Sequence, residues 1–276
     1  MPAPSTDPIL TATTADRLPP GAVLLHVEPG DRGSAEAAFA AGHVEGAVLL
    51  VRDEVMTRPM RPGDGRHPLP SPEDLAAALG GLGVGWDATV IAYDRQHGDN
   101  AAHVVHLLRL LGQDARLLDG GLGAFTDPLA TGPATARPTV DREPRPWPAD
   151  ALPDIDEVAA HVAAGGVLID ARAAERFRGE TEPLDPIAGH IPGAVNAYYG
   201  DNLAADGTFR EPEELRARFA ALGAGPEAVV YCGSGVTACH DLLAIEHAGL
   251  GRARLFVGSW SQWCRDGSRP RATGPA

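Results

Sequence analysis

The sequence predicts two α/β domains in tandem, each with a mainly parallel central sheet flanked by helices. Two observations carry that prediction. Short apolar runs alternate with longer amphipathic stretches along the 276 residues, and the same order of elements recurs on both sides of a proline-rich segment. A chain of this length can bury two ordinary cores. Its 33 glycines and 25 prolines show no collagen-like period. A net charge of −14 favours solubility and leaves no general footprint for nucleic acid or an acidic membrane.

In chain order, Val23-Leu24-Leu25-His26 reads as a strand, the run holding Ala37-Ala38-Phe39 as a helix, and His43-Val44-Glu45-Gly46-Ala47 as the turn beyond it. Thr89-Val90-Ile91-Ala92-Tyr93 is a second strand leading into a helix over 101–111, and Leu117-Leu118-Asp119-Gly120-Gly121 a third strand with its turn. Residues 131–151 are crowded with proline, small residues and charge. Proline interrupts both helix and strand, so an extended linker is expected there. It separates an N-terminal domain over 1–130 from a C-terminal domain over 152–276.

The second half repeats the first. Val167-Leu168-Ile169-Asp170 is a strand, His190-Ile191-Pro192-Gly193-Ala194 the matching turn, and Ala228-Val229-Val230-Tyr231 a strand leading to a helix near 237–247. Leu255-Phe256-Val257-Gly258-Ser259 closes the pattern. Gly120 follows Asp94 by 26 positions, as Gly258 follows Cys232. Asp94 therefore stands where Cys232 stands, and a carboxylate cannot do thiol chemistry, so the first half reads as a non-catalytic copy. His43 and His190 recur before equivalent turns and read as a repeated fold contact; Trp260 and Trp263 read as packing residues.

Chemistry concentrates in Val229-Val230-Tyr231-Cys232-Gly233-Ser234-Gly235-Val236-Thr237-Ala238. An apolar strand empties into a cysteine and a glycine-rich loop that opens a helix. The glycines let backbone N–H groups converge into an anion nest, which together with the helix N-terminus would favour a thiolate at Cys232. Taken alone, these residues also fit a buried cysteine beside a tight turn. The three cysteines, Cys232, Cys239 and Cys264, are too few for a disulfide framework and form no Cys-X-X-Cys pair. Cys239 falls in an apolar-rich helix, where packing suffices to explain it.

In these motifs the chain resembles the two-domain rhodanese-like sulfurtransferases, in the branch of the 3-mercaptopyruvate and thiosulfate sulfurtransferases. The resemblance spans about 24–263. It rests on Cys232-Gly233-Ser234-Gly235-Val236-Thr237, on His190-Ile191-Pro192-Gly193-Ala194-Val195-Asn196, and on Asp170-Ala171-Arg172 with Arg176-Phe177-Arg178-Gly179. It implies tandem rhodanese-like domains and a ping-pong reaction, in which Cys232 takes sulfane sulfur as a persulfide and gives it to an acceptor. The loop N–H groups of Gly233, Ser234, Gly235, Val236 and Thr237 would cradle that anion. Gly233-Ser234 matches mercaptopyruvate-using relatives; thiosulfate-preferring relatives commonly carry basic side chains there.

The resemblance further implies that Arg176 holds the donor carboxylate, with Arg178 beside it at the substrate or the rim. Asp53 and His67 match positions of a polar network near the donor. If they meet Ser234, they would orient its hydroxyl and help protonate the departing enolate. Read as residues alone, Asp53 fits a helix start, His67 and Ser234 fit turns, and Thr237 fits a helix cap. One departure stands out: a local match puts Leu184 of Glu182-Pro183-Leu184-Asp185-Pro186 where typical mercaptopyruvate enzymes carry a second carboxylate-binding arginine.

No metal, nucleotide or organic cofactor is implied. The expected partners are a small-molecule sulfur donor and, as acceptor, thioredoxin, a low-molecular-weight thiol or cyanide; neither nucleic acid nor membrane is expected, and a monomer suffices. Sparse cysteines and no export signal point to a reducing, cytoplasmic location. A cysteine phosphatase is the rival enzyme, but it calls for an arginine at the far end of the loop, where Ala238 stands. A redox-sensing or protein-binding module is the rival without catalysis.

Overall fold

The computed structural model describes residues 6–275. They fall into two compact units. One gathers the chain up to Arg58, then Leu69–Pro148 and the short stretch Asp206–Thr208; the other gathers Pro59–Pro68, Ala149–Ala205 and everything from Phe209 onward. The second unit therefore takes a piece of chain from deep within the first half of the sequence.

The first unit is built on strands β1 (Ile9–Leu10), β2 (Val23–Glu28), β3 (Val48–Val51), β4 (Val90–Tyr93) and β5 (Ala115–Leu118), in the order β1-β5-β4-β2-β3 with every pairing parallel. Both faces of such a sheet are covered, which is why β3 and β4 are buried at every position rather than alternating. Helices α1 (Arg32–Ala41), α2 (Arg52–Val55), α3 (Pro72–Gly81) and α4 (Ala101–Leu110) accompany it. Local chemistry sets their starts: the Asp31 carboxylate accepts the Ser34 N–H at α1, and the Ser71 hydroxyl accepts the Asp74 N–H at α3, where Pro72 takes the first turn.

The second unit has strands β6 (Leu168–Asp170), β7 (Val195–Asn196), β8 (Val229–Tyr231) and β9 (Arg254–Leu255), parallel throughout in the order β7-β6-β8-β9. Its helices are α5 (Ile155–Ala163), α6 (Ala174–Phe177), α7 (Pro212–Ala221), α8 (Ala238–His247) and α9 (Ser259–Trp263). A full capping box starts α5, with Asp154 and Glu157 each bonded to the other's backbone N–H. From β6 the chain moves to β7 on one side, then returns to β8 on the other. The carboxyl ends of β6 and β8 thus form a topological switch point, where parallel sheets leave a crevice for a ligand.

The duplication extends to single atoms. The Tyr93 hydroxyl accepts the Val44 N–H at 2.9 Å, and the Tyr231 hydroxyl accepts the Ile191 N–H at 3.2 Å. His43 stacks on Phe39 with centroids 3.8 Å apart, and His190 on Phe177 at 3.7 Å; each imidazole also bonds the main-chain carbonyl of its stacking partner. Both histidines are therefore structural, tying a helix to the turn beyond it. Trp260 and Trp263 pack as expected, their indole N–H groups satisfied by the carbonyls of Ile187 and Pro270.

Of Leu255-Phe256-Val257-Gly258-Ser259, which closes the repeated pattern, Leu255 ends β9, and the residues after it turn to bring Ser259 to the loop after β8. Residues 133–148 are extended, as proline requires, but they are not a free tether. Arg142 and Arg145 lie over the Trp86 ring at 3.6 and 3.4 Å, Arg142 donates to Val84 O and Gln113 Oε1, and Trp147 donates to Pro70 O. These contacts strap the segment to the first unit. Among the described residues, no helix is long and apolar enough to cross a membrane.

Candidate active site

Cys232 is the first residue beyond β8, and the loop 232–237 runs from it into α8. Gly235 has φ +83°, and a Cβ there would stand 2.7 Å from Val257 O, so the turn admits only glycine. The backbone beside the sulfur is fixed from α9. Ser259 Oγ accepts the Cys232 N–H at 3.2 Å and donates to Phe256 O at 2.9 Å, while the N–H groups of Trp260 and Ser261 bond the carbonyls of Cys232 and Gly233. Ser259 itself has φ +53°, the only non-glycine residue with positive φ among those described. Strain of this kind persists where surrounding bonds over-determine it, and here it holds the cysteine peptide. Val236 is buried. Thr237 stands at the cap position of α8 without a side-chain cap bond, so it does not serve there as a helix cap.

Ser234 is met by His67. The imidazole Nδ1 lies 2.8 Å from Ser234 Oγ. His67 arrives on Pro59–Pro68, the segment that belongs with the second unit, and backbone contacts hold it there. The Arg66 N–H donates to Ser261 Oγ at 3.0 Å, Gln262 donates to Gly63 O at 2.8 Å, and Gly65 lies so close to Gly258 that a Cβ would fall 2.4 Å from the Gly258 carbonyl. Asp53 belongs to the first unit. Its carboxylate accepts the Gly30 N–H at 2.7 Å and pairs with Arg52, while His67 and Ser234 both belong to the second unit.

A chain of ion pairs runs from the end of β6 toward the loop. Asp170, fully buried, binds the Arg172 guanidinium, which also donates to Gly189 O and reaches Glu182 at 3.3 Å. Glu182 in turn holds Arg176 through Nη2 at 2.6 Å and Nε at 3.3 Å. Burial by itself raises the Glu182 carboxyl, but the Arg176 fork and the N–H groups of Leu184 and Asp185 outweigh it and bring the group below its ordinary value. With Nε and Nη2 tied, Arg176 still presents both terminal nitrogens about 3.5 Å from where a Cβ on Gly233 would sit. Arg178 goes elsewhere: it pairs in parallel fashion with Glu180, both exposed at the surface.

Sequence reasoning overlooked Arg66. It pairs with the buried Asp185, and its Nη2 would lie 2.8 Å from a Cβ on Gly233, closer than Arg176. Nothing in its local sequence announces this, because its partners lie more than a hundred positions away. Leu184, expected at an arginine site, is 61% exposed, and it is the flanking Glu182 and Asp185 that turn inward. Cys239 and Cys264 are buried thiols whose ionisation burial pushes up; Cys239 donates to Gly235 O at 3.3 Å. The site thus offers one cysteine at the start of a glycine-rich turn, a hydroxyl bonded to an imidazole, and two guanidiniums beside the loop.

A family model of the rhodanese-like domain matches residues 31–127 and again 154–266. A probable 3-mercaptopyruvate sulfurtransferase of Pseudomonas aeruginosa is 45% identical over 246 residues, covering 86% of each chain. A putative thiosulfate sulfurtransferase of Mycobacterium tuberculosis is 38% identical over 256 residues, covering 89% of this chain and 88% of its own. Among solved structures, 3-mercaptopyruvate sulfurtransferase from Leishmania major aligns with a TM-score of 0.70 at 27% identity, over 88% of this chain and 74% of that one.

Proposed function

The chain belongs to the rhodanese-like sulfurtransferases, enzymes that move sulfane sulfur through a persulfide, and from that premise we propose 3-mercaptopyruvate as its donor and Cys232 as its carrier. The observation that carries the donor reading is the contact between His67 and Ser234 on a loop of Gly233-Ser234. A thiosulfate donor needs no proton when sulfite leaves. A mercaptopyruvate donor leaves as an enolate, which must gain one.

In this reading the Cys232 thiolate attacks the donor sulfur. The sulfur–sulfur bond forms as the carbon–sulfur bond breaks, and the electron pair of the latter passes into the enolate of pyruvate. His67, through the Ser234 hydroxyl, supplies the proton that turns enolate into pyruvate. The persulfide left on Cys232 is stabilised by the loop N–H groups of Gly233, Ser234, Gly235, Val236 and Thr237. Arg176 receives the donor carboxylate, and Arg178 stays at the rim. Asp53 would join the relay only from the N-terminal domain over 1–130, which we read as the non-catalytic partner of the catalytic domain over 152–276.

The second half-reaction transfers the outer sulfur to thioredoxin, a low-molecular-weight thiol or cyanide, in a reducing cytoplasm where Cys232 is regenerated as a thiol. The test compares kcat/KM for 3-mercaptopyruvate and thiosulfate and weighs the intact protein after donor alone. A preference for 3-mercaptopyruvate and one added sulfur on the peptide bearing Cys232 are expected. Preference for thiosulfate would overturn the donor assignment, and sulfur on another cysteine would overturn the carrier.

A further inference from the structure

Gly233 is bracketed by two guanidiniums from different parts of the sequence. A Cβ at that position would stand 2.8 Å from Arg66 Nη2 and 3.5 and 3.6 Å from the two terminal nitrogens of Arg176. The glycine is therefore demanded by side chains that reach over it, since its backbone is not in the left-handed region. A basic residue in the loop would collide with both arginines and repel them. Positive charge beside Gly233 is supplied here from outside the loop.

Both arginines are positioned by carboxylates of one short segment. Glu182 holds Arg176, and Asp185 pairs with Arg66 while lying 3.8 Å from Arg176 and 3.6 Å from Arg265. The Asp185 carboxylate is wholly shielded from solvent, whereas Arg66 and Arg176 keep 22% and 18% of their side chains exposed. Across the linked cluster, Arg66, Arg172, Arg176 and Arg265 face Asp170, Glu182 and Asp185. One positive charge is left over, next to the loop, and a single carboxylate would balance it.

We propose that Arg66 is a specificity-determining residue, forming with Arg176 a two-arginine clamp on the carboxylate of an α-keto acid sulfur donor. Arg66 stands in for the guanidinium that position 184 lacks, although it arrives from Pro59–Pro68 rather than from the segment after α6. Its neighbour His67 bonds Ser234, so one short segment delivers both the carboxylate ligand and the proton relay. Docking of that segment would thus assemble recognition and protonation together. The clamp rests on the mercaptopyruvate reading and extends it to a residue outside the loop.

The test uses two donors, 3-mercaptopyruvate and mercaptoacetone, the same mercapto ketone without the carboxylate. Arg66→Met is paired with Arg66→Met/Asp185→Asn, which removes the buried charge that the single variant leaves short of a partner. Removing a charge-assisted bond to the carboxylate should lower kcat/KM for 3-mercaptopyruvate by about 10- to 100-fold. The loss should fall mainly on KM, exceed the loss with mercaptoacetone by about tenfold, and be partly recovered in Arg66→Lys. Equal losses with the two donors would assign Arg66 a purely structural role and overturn the clamp, as would no loss at all. Failure of the parent enzyme to use 3-mercaptopyruvate would instead bring down the donor reading, and the clamp with it.

Discussion

The two units solve the same backbone problem in opposite ways. Beyond β4, the loop after Tyr93 closes on its own side chain: the Asp94 carboxylate accepts the N–H groups of Gln96 and Gly98 on one oxygen and of Asn100 and Ala101 on the other, all at 2.9–3.0 Å. Beyond β8, the residue in the same place is Cys232, whose side chain brings a sulfur and no carboxylate. Flanking bonds are matched, since Leu122 N–H bonds Asp94 O as Trp260 N–H bonds Cys232 O. One cradle is filled covalently by an anion of the chain itself. The other is built on the same frame around a thiol, with Ser234, His67, Arg66 and Arg176 beside its loop. Anion-binding geometry is thus a property of the fold, and the chemistry we propose depends on which atom is placed in it.

Replacing the nucleophile gives the largest expected effect. Cys232→Ser should lower turnover by at least about 10³-fold and abolish the persulfide mass increase, although Cys239 and Cys264 remain. A persulfide on either of those would break the contrast between the two loops, since both are buried thiols that burial holds in the neutral form.

The first unit should respond in stability instead. Asp94→Ala leaves four N–H donors without their acceptor at a buried site, at a cost of about 2–4 kcal/mol, readable by urea denaturation. Its sulfur uptake under native conditions should match the parent. Unchanged stability would mean that the carboxylate does not organise this loop.

A smaller effect tests α8, the helix into which the loop after β8 runs. Asp241 is fully buried, accepts Asn202 Nδ2 at 2.7 Å, and is pushed up to about 7 by burial, with Arg218 and Asn202 opposing the shift. Its folded value lies above its unfolded one, so between about pH 4 and about pH 7 the native state binds the proton that the unfolded chain has lost. Stability should therefore fall as pH rises through that window, then level off. Asp241→Asn should flatten the pH dependence of Tm and raise Tm at pH 8; an unaltered profile would show that Asp241 does not contribute it.

Much of the fold was legible because its signals are local. Buried parallel strands read as apolar runs at β2, β4, β6 and β8, and equal spacing from Asp94 and Cys232 exposed the repeat. The loop around Cys232 was equally plain, since glycines mark its turns. Arg66 was not legible: its worth depends on Gly233 and Asp185, which folding alone brings near. Arg178 could be told from Arg176 only in three dimensions. It shares type and neighbourhood with Arg176, but half a helical turn sends it to Glu180 at the surface.

The sequence by itself determined the repeated α/β architecture and singled out Cys232 as the expected nucleophile, with Asp94 at the matching place in the other copy. Those follow from apolar periodicity, glycine conformation and the difference between a thiol and a carboxylate. Tertiary structure decided which polar residues stand beside the loop after β8. It carried Pro59–Pro68 onto the second unit, set His67 on Ser234, and turned Glu182 and Asp185 inward while Leu184 faced outward. Charges act through space over a few ångströms, and the order of residues along a chain does not record which of them will come that close.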